Sequence, residues 1–357
     1  MEENKQHKTA LPETEPIPSA QAPEALLDIR GLRVEYHTDE DVVYAVNGLD
    51  LTIGKGESLG LVGETGAGKT TTALSVLRLI ADPPGKIMGG EIWFEGEDML
   101  QAKPARLREI RGSKISVIFQ DPMTSLNPVY SVGDQIAEVI HQHEKCSKEE
   151  GRRKAGDMLE MVGIPRARYD EYPHQLSGGM KQRVVIAMSI ACSPELILAD
   201  EPTTALDVTI QAQVLELMNE LKEKLRTSLL LITHDLGVVA QVCDRVAIMY
   251  AGEIVESGTI AEVFDHPHHP YTIGLFGSIP SLDETAEKLK PIQGQMPDPT
   301  ELPEGCAFAP RCPYATGACR TRKPEMTGVG GTQMVRCLAH QGVFESPELM
   351  EEVRHGR

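Results

Sequence analysis

This sequence is short of positive charge and of long apolar runs, and each shortage argues against a class of function. Its 357 residues carry 35 Lys and Arg against 53 Asp and Glu, a formal net charge of −18. Such an acidic surface repels nucleic-acid phosphates and anionic lipid headgroups. No apolar run approaches the ~18 residues of a membrane-spanning helix, and residues 1–5 lack the basic-then-apolar order of a secretory signal. We therefore expect a cytosolic protein that meets the membrane only through a partner.

What the chain does contain is a set of short runs that are apolar on successive residues. Such runs are typical of parallel strands covered on both faces, which indicates an α/β fold. A largely helical block at about 132–192 separates the second run from the third. Earlier segments, at 26–36 and 42–53, predict a paired or antiparallel set of strands. The four runs lie at 59–62, 115–119, 196–199 and 229–232.

The first apolar run leads directly into a glycine-rich loop followed by a helical stretch without Gly or Pro. The loop fits the phosphate-loop pattern of Gly, four residues, Gly, Lys and then Ser or Thr. Its backbone N–H groups and the positive end of the helix would face one anion, with Lys69 on the β- and γ-phosphates of ATP and Thr70 on Mg²⁺. A chance glycine-rich turn is the alternative interpretation. The residues of the loop are Gly63, Glu64, Thr65, Gly66, Ala67, Gly68, Lys69, Thr70 and Thr71.

Polar residues follow the last two apolar runs and suggest catalytic roles. Asp200 ends the third run and could hold Mg²⁺, and Glu201 could orient and deprotonate the attacking water. His234 follows the fourth run, where it could hydrogen-bond the γ-phosphate. Helix capping by the carboxylates and an ordinary surface or core histidine are the structural alternatives.

A second predicted anion site decides among phosphate-loop proteins. Ser177, Gly178 and Gly179 begin a predicted helix whose positive end would face phosphate. The segment that contains them, residues 176–182, resembles the signature motif of ABC-transporter ATPases. In that family the motif completes the ATP site of the opposite subunit, so the resemblance implies dimerisation. The residues are Leu176, Ser177, Gly178, Gly179, Met180, Lys181 and Gln182.

The resemblance implies roles for further residues. Gln120 resembles the glutamine that binds Mg²⁺ and water, so we expect Gln120, Glu201 and His234 to form the catalytic group. Asp207, in the segment Ala205-Leu206-Asp207, resembles the loop that crosses the dimer interface. Tyr36 is the candidate for stacking on adenine, and Tyr44 is its rival.

Four further segments allow a narrower assignment within the ABC-transporter ATPases, namely residues 121–128, 172–175, 269–272 and 305–315. These segments resemble the ATPase subunits of oligopeptide and dipeptide importers. The resemblance implies a P-loop NTPase (RecA-like) parallel-sheet core, an antiparallel β-subdomain and an inserted helical signature subdomain. We expect a disordered tail at 1–24, a nucleotide-binding domain at 25–270 with its helical subdomain at about 121–192, a Cys-rich extension at 271–345 and a tail at 346–357.

The implied assembly contains a second, related ATPase subunit, two permeases and an external solute-binding protein, and this chain lies on the cytoplasmic face of the membrane. Short peptides are the expected solute, with nickel, glutathione or another solute as alternatives. A soluble ABC ATPase of DNA repair or translation is a rival, but those proteins usually carry two cassettes or nucleic-acid arms. A redox or metal-sensing protein is another rival, and it leaves Lys69, Asp200 and Glu201 without a role.

Four of the seven cysteines lie within about thirty residues near the end of the chain. Cys306, Cys312, Cys319 and Cys337 supply the four thiolates that a [4Fe–4S] cluster needs, and a Cys-Pro pair also occurs in ferredoxins. Structural Zn²⁺ usually takes more closely spaced pairs, and plain buried thiols are the third possibility. The family resemblance also points to a cluster, with His340 as an outside candidate ligand. We therefore predict an iron–sulfur cluster that staples the extension.

Overall fold

The computed structural model describes residues 25–204, 206–278 and 292–355. The predicted disordered tail at 1–24 lies outside the described residues. Two sheets organise the described chain, one of eight strands and one of four. The strands are β1 (Ala25–His37), β2 (Val42–Gly54), β3 (Ser58–Val62), β4 (Gly85–Phe94), β5 (Glu97–Asp98), β6 (Ile115–Ile118), β7 (Leu196–Asp200), β8 (Ser228–Thr233), β9 (Arg245–Tyr250), β10 (Glu253–Thr259), β11 (Thr327–Gly330) and β12 (Gln333–Val335).

Helices cover the larger sheet and connect its strands. They are α1 (Lys69–Val76), α2 (Pro104–Ile110), α3 (Pro122–Ser125), α4 (Val132–His143), α5 (Lys148–Met161), α6 (Gly178–Ile190), α7 (Val208–Leu225), α8 (Leu236–Val242), α9 (Ile260–Asp265), α10 (Pro270–Phe276), α11 (Gly317–Thr321) and α12 (Pro347–His355). Short 3₁₀ turns occupy Arg166–Arg168, Pro173–Gln175 and Leu338–Gln341. None of the helices in the described part of the chain is long and apolar enough to span a bilayer.

The larger sheet has the strand order β11-β12-β10-β9-β3-β8-β7-β6. Strands β9, β3, β8, β7 and β6 run parallel, and all four predicted apolar runs fall among them. Their side chains alternate between two separate cores: Leu61 and Leu230 pack on one face, Val62 and Leu231 on the other. Burial on both faces explains why these runs are apolar at successive positions. The sheet as a whole is mixed, because β10, β12 and β11 pair antiparallel, so the predicted parallel arrangement holds for five of its eight strands.

The smaller sheet is antiparallel, with the order β2-β1-β4-β5. Residues Leu27, Ile29, Leu32 and Val34 of β1 are buried, whereas the residues at 28, 30, 33 and 35 are more exposed. This alternation is interrupted by irregularities in the pairing with β2 and β4. The described chain is therefore α/β, with a mixed sheet and a separate antiparallel sheet.

The chain between β6 and β7 is helical and contains α3 to α6. Three of these helices begin at serines whose hydroxyls accept a backbone N–H: Ser131 for α4, Ser147 for α5 and Ser177 for α6. A side-chain acceptor at this position satisfies a donor that the helix cannot pair internally. Capping therefore sets where each of these helices begins.

The end of the chain is more ordered than its sequence suggests. Strands β11 and β12 extend the larger sheet through the pairing of β12 with β10. In the segment predicted as a tail, Pro347–His355 forms α12, with Leu349 and Val353 buried. Two buried positions four residues apart on a short polar helix were too weak a signal to predict it.

Candidate functional site

The predicted phosphate loop joins β3 to α1 at the carboxyl edge of the parallel strands. Gly66 and Gly68 have φ of +86° and +102°, which disfavour residues with a Cβ. A Cβ on Gly63 would lie 2.2 Å from the Met249 carbonyl oxygen, and one on Gly68 would lie 2.3 Å from that of Ala45. Glycine is therefore required at these positions by backbone shape and by close packing. Thr65, Gly66 and Thr70 face solvent, whereas Ala67 is buried.

Lys69 begins α1 and is almost fully buried, with 6% of its surface exposed. Its Nζ donates to the carbonyl oxygens of Gly63 at 2.7 Å and Glu64 at 3.0 Å. Burial lowers the pKa of Lys69, and the carboxylates of Glu201, Asp200 and Glu64 act against that shift. A desolvated ammonium group held inside the loop is suited to pair with an incoming phosphate.

Asp200 is the last residue of β7 and is 7% exposed. Burial raises the pKa of its carboxyl group, while a hydrogen bond from the Thr70 side chain acts in the opposite direction. A buried carboxylate beside a hydroxyl, next to a phosphate cradle, supplies the hard oxygen ligands that Mg²⁺ prefers. These two residues therefore fit a bound Mg²⁺ ion.

The Glu201 carboxylate contacts both other members of the predicted catalytic group. Its Oε2 accepts hydrogen bonds from Gln120 Nε2 at 2.8 Å and Thr204 Oγ1 at 2.9 Å, and its Oε1 lies 3.1 Å from His234 Nδ1. The structure thus brings together Gln120, Glu201 and His234, which are far apart in sequence. Thr204 was missed, and nothing in the sequence distinguishes it from the adjacent Thr203.

The surroundings of Glu201 set its charge and backbone conformation. Burial acts to raise the pKa of its carboxyl group, but hydrogen bonds with His234 and Thr204 outweigh burial, and the pKa is lowered. The Glu201 carboxyl group is therefore ionised at neutral pH. Its φ of +47° is uncommon for a non-glycine residue, and strain of this kind is often retained at functional sites.

The signature segment occupies the start of α6 in the helical block. Ser177 Oγ accepts the Met180 N–H at 3.4 Å, and both Ser177 and Gly178 are exposed. Gly179 is needed for packing, because a Cβ there would lie 2.4 Å from Ile210 Cγ2. Within the described residues, no hydrogen bond or ion pair joins Ser177 to the phosphate loop.

The remaining signature residues divide by exposure. Leu176 and Gln182 are buried, whereas Met180 and Lys181 are half-buried. The Gln182 amide finds no hydrogen-bond partner among the residues that the structure describes. The exposed residues of the signature segment, Ser177 and Gly178, therefore lie together at the start of α6.

The other predicted residues have clear local surroundings. Asp207 Oδ1 accepts the Ile210 N–H at 3.0 Å and caps α7, while its neighbour Ala205 lies outside the described residues. Tyr36 is half-buried, and its hydroxyl lies 3.3 Å from Thr71 Oγ1 beside the phosphate loop. Tyr44 is 38% exposed, and its N–H donates to the Pro299 carbonyl.

The iron–sulfur prediction for the extension is wrong. Across residues 25–204, 206–278 and 292–355, no group of three or more His, Cys, Asp or Glu side chains could hold a metal ion. The four predicted ligands, Cys306, Cys312, Cys319 and Cys337, instead line one largely apolar pocket. Burial raises the pKa of Cys312 to about 12 and of Cys337 to about 11. In the chain as described, burial among apolar side chains therefore favours the neutral thiols.

The phosphate loop also receives contacts from late in the chain that the sequence did not predict. Arg311 pairs with the Glu64 carboxylate, and the Glu64 N–H donates to Tyr271 Oη at 3.1 Å. Arg311 and Tyr271 lie in segments that resemble peptide importers, but that resemblance does not predict a contact with the phosphate loop.

Comparison with known proteins adds to this geometry. Residues 46–204 match the protein family described as ABC transporter. Residues 255–319 match the family described as oligopeptide/dipeptide transporter, C-terminal region.

Individual relatives match over most of their length. The chain is 49% identical to the oligopeptide transport ATP-binding protein AppD of Bacillus subtilis, covering 88% of this chain and 97% of the relative. It is 50% identical to OppD of the same organism, also an oligopeptide transport ATP-binding protein, covering 91% and 93%. The dipeptide transport ATP-binding protein DppD, again from B. subtilis, is 48% identical over 88% and 94%.

Solved structures show the same fold. A dimeric, post-hydrolysis state of the ATP-binding cassette MJ0796, bound to ADP and Pi, aligns with a TM-score of 0.59 at 28% identity, covering 66% of this chain and 98% of that one. The relatives' names describe transport ATP-binding proteins and mention no iron–sulfur cluster.

Proposed function

The chain belongs to the ATP-binding proteins of oligopeptide and dipeptide ABC transporters, and from this premise we propose that it hydrolyses ATP to drive the import of short peptides. The observation that carries the proposal is the convergence of Lys69, Asp200 and Glu201 at one sheet edge, beside a phosphate loop. The identity of 48–50% to transport ATP-binding proteins over most of both chains supports the peptide solute.

The proposed site holds the triphosphate in the loop 63–71, with Lys69 on the β- and γ-phosphates. Thr70, Asp200 and Gln120 would hold Mg²⁺, which neutralises charge on the phosphates when bound. Glu201 accepts the proton of the attacking water as the new P–O bond forms and the bond to the β–γ bridging oxygen breaks. His234, hydrogen-bonded to Glu201, contacts the γ-phosphate and responds to its loss.

The proposed working unit contains two ATPase subunits. Ser177, Gly178 and Gly179 would contact the γ-phosphate bound to the partner, because the exposed start of α6 is not joined to the phosphate loop of its own chain. Asp207 would lie near the dimer interface. Tyr36 would stack on adenine, with Tyr44 as the alternative.

The rest of the proposed assembly follows from the family. Two separate permeases, an external solute-binding protein and a second, related ATPase complete it, with this chain bound peripherally at the cytoplasmic face. We retain the proposed boundaries of 25–270 for the nucleotide-binding domain, with a helical subdomain at about 121–192, and 271–345 for the extension.

Reconstitution tests the proposal. The chain, the permeases and the second ATPase are placed in proteoliposomes, and uptake of labelled peptides is measured with ATP and with a non-hydrolysable analogue. We expect uptake only with ATP and with the solute-binding protein present, and no uptake with Lys69→Ala. Uptake of nickel or glutathione in place of peptides would refute the peptide assignment while leaving the ATPase role intact.

A further inference from the structure

One ion pair links the extension to the phosphate loop. Arg311 Nη1 donates to both carboxylate oxygens of Glu64, at 3.1 and 3.0 Å. Glu64 is the second residue of the loop, and 247 positions separate it from Arg311. The Arg311 side chain is 5% exposed, whereas that of Glu64 is 32% exposed. The pair is therefore well shielded on the arginine side.

Arg311 is held rigidly in this position. Its Nε donates to the Gln293 carbonyl at 3.1 Å, and its Nη1 also lies 3.4 Å from Tyr250 Oη. The guanidinium carbon lies 5.7 Å from the centre of the Tyr250 ring and 5.9 Å from that of Phe308. Fixed hydrogen bonds and flanking rings limit the motion of the guanidinium group.

Glu64 is in turn coupled to the lysine of the loop. Its carbonyl oxygen accepts the Lys69 Nζ at 3.0 Å, and its carboxylate is one of the charges acting on that ammonium group. Without Arg311, the Glu64 carboxylate would be an unpaired negative charge beside the triphosphate. In a partly desolvated site, repulsion between this carboxylate and the phosphates would oppose the binding of ATP.

The same part of the extension approaches the nucleotide-binding side of the chain at two more places. The Pro299 carbonyl accepts the Tyr44 N–H at 2.8 Å. A Cβ on Gly66 would lie 3.2 Å from Met296 Cε. The extension therefore meets the nucleotide-binding side of the chain at Tyr44, Gly66 and Glu64.

We propose that Arg311 is a positioning residue for ATP binding, which neutralises Glu64 and holds the phosphate loop in its binding conformation. The extension would thus set the affinity for ATP in addition to completing the fold. This inference rests on the proposed ATPase function and names a residue through which the extension acts on that site.

A double-mutant cycle tests the proposal in the full chain. Wild type, Arg311→Met, Glu64→Gln and the double variant are titrated with a fluorescent ATP analogue and Mg²⁺, and ATP hydrolysis is measured in parallel. We expect Arg311→Met to raise Kd and KM about tenfold, the scale of a charged hydrogen bond, with kcat little changed because the interaction acts on bound ATP throughout.

Rescue separates this role from a purely structural one. In the Glu64→Gln background, Arg311→Met should raise Kd less than twofold, because no unpaired carboxylate remains. An equal rise in both backgrounds would show that Arg311 acts only through the fold of the extension, and would overturn the proposal. Arg320→Met, which removes an exposed charge from the same extension, should leave Kd unchanged.

Two further results guard the interpretation. If circular dichroism shows that Arg311→Met is unfolded, the same cycle is run with Arg311→Lys, which keeps the positive charge but loses the planar guanidinium group. We then expect a smaller rise in Kd, which Glu64→Gln again removes. Wild-type chain that binds no Mg·ATP would refute the proposed function itself. Wild-type binding with unchanged Kd in Arg311→Met would refute only the role of Arg311.

Discussion

Replacing Glu201 by glutamine removes the proposed base while keeping nearly all of its contacts. In the wild type the carboxylate accepts from Gln120 and Thr204 through one oxygen and contacts His234 through the other. A glutamine amide can keep its oxygen toward Gln120 and Thr204 and turn its NH₂ toward His234. A neutral imidazole can accept that hydrogen bond in one tautomer, so the hydrogen-bond network should survive the change.

The expected loss is therefore in chemistry and not in binding. A general base is typically worth 10²–10⁴ in rate, which corresponds to about 3 to 5 kcal/mol of transition-state free energy. Glu201→Gln should lower single-turnover hydrolysis by this factor, and Kd for Mg·ATP should stay within about threefold. Glu216→Gln, on an exposed face of α7, is the matched control and should hydrolyse ATP at the wild-type rate.

The pH dependence gives a second readout of the same group. The pKa of Glu201 is lowered in the folded chain, and the ionised form is the active one. The wild-type rate should therefore stay level as the pH falls from neutral toward the ordinary glutamate range near 4.3 and decline only below it. Turnover of Glu201→Gln within threefold of wild type, with ATP still bound, would refute the role of Glu201 as base.

Three further changes probe other parts of the chain. Ser177→Ala removes the cap of α6 and should cost about 1 kcal/mol of stability; hydrolysis by the two-ATPase complex should fall at least tenfold, while a single chain keeps its Kd for ATP. Phe308→Ala removes a ring that contacts the rings of Tyr250, Tyr271 and His269, and urea unfolding should show a loss of about 3–5 kcal/mol. Burial lowers the pKa of His269 from 6.5 to about 3. The unfolded chain therefore binds the extra proton first, and the free energy of unfolding should fall by about 1.4 kcal/mol per pH unit below 6.5. His269→Asn, which keeps an acceptor for the Tyr271 N–H, should flatten that slope.

Local pattern was enough to predict four of the five parallel strands and the glycine-rich loop that follows the first of them. The runs at 59–62, 115–119, 196–199 and 229–232 are largely apolar because both faces of those strands are mostly buried. Phe119, which follows β6, is an exception at 44% exposed. The glycines of the loop are dictated by backbone shape and close carbonyls, requirements that few other residues meet. Such requirements act on neighbouring residues, so a single sequence displays them.

The cysteine cluster shows where spacing alone misleads. Four cysteines within about thirty residues suggested metal ligands, but among the described residues no group of three or more His, Cys, Asp or Glu side chains could hold a metal ion. The mostly apolar residues around them favour the neutral thiol. Which surroundings a cysteine receives is decided by residues distant in sequence, such as Leu349 of α12.

Four strands of the sheet core, the phosphate loop, the start of α6 and the candidates for acid, base and sensor were predictable from the sequence alone. The meeting of Gln120, Thr204 and His234 at Glu201, the extension of the larger sheet by β12 and the contact of Arg311 with Glu64 became visible only in the folded chain. The difference between the two groups is the distance along the sequence over which the responsible interactions act. Backbone conformation and burial periodicity are imposed over a few residues, whereas Gln120 and His234 lie 81 and 33 positions from Glu201 and Arg311 lies 247 positions from Glu64. These contacts depend on how whole strands and helices pack.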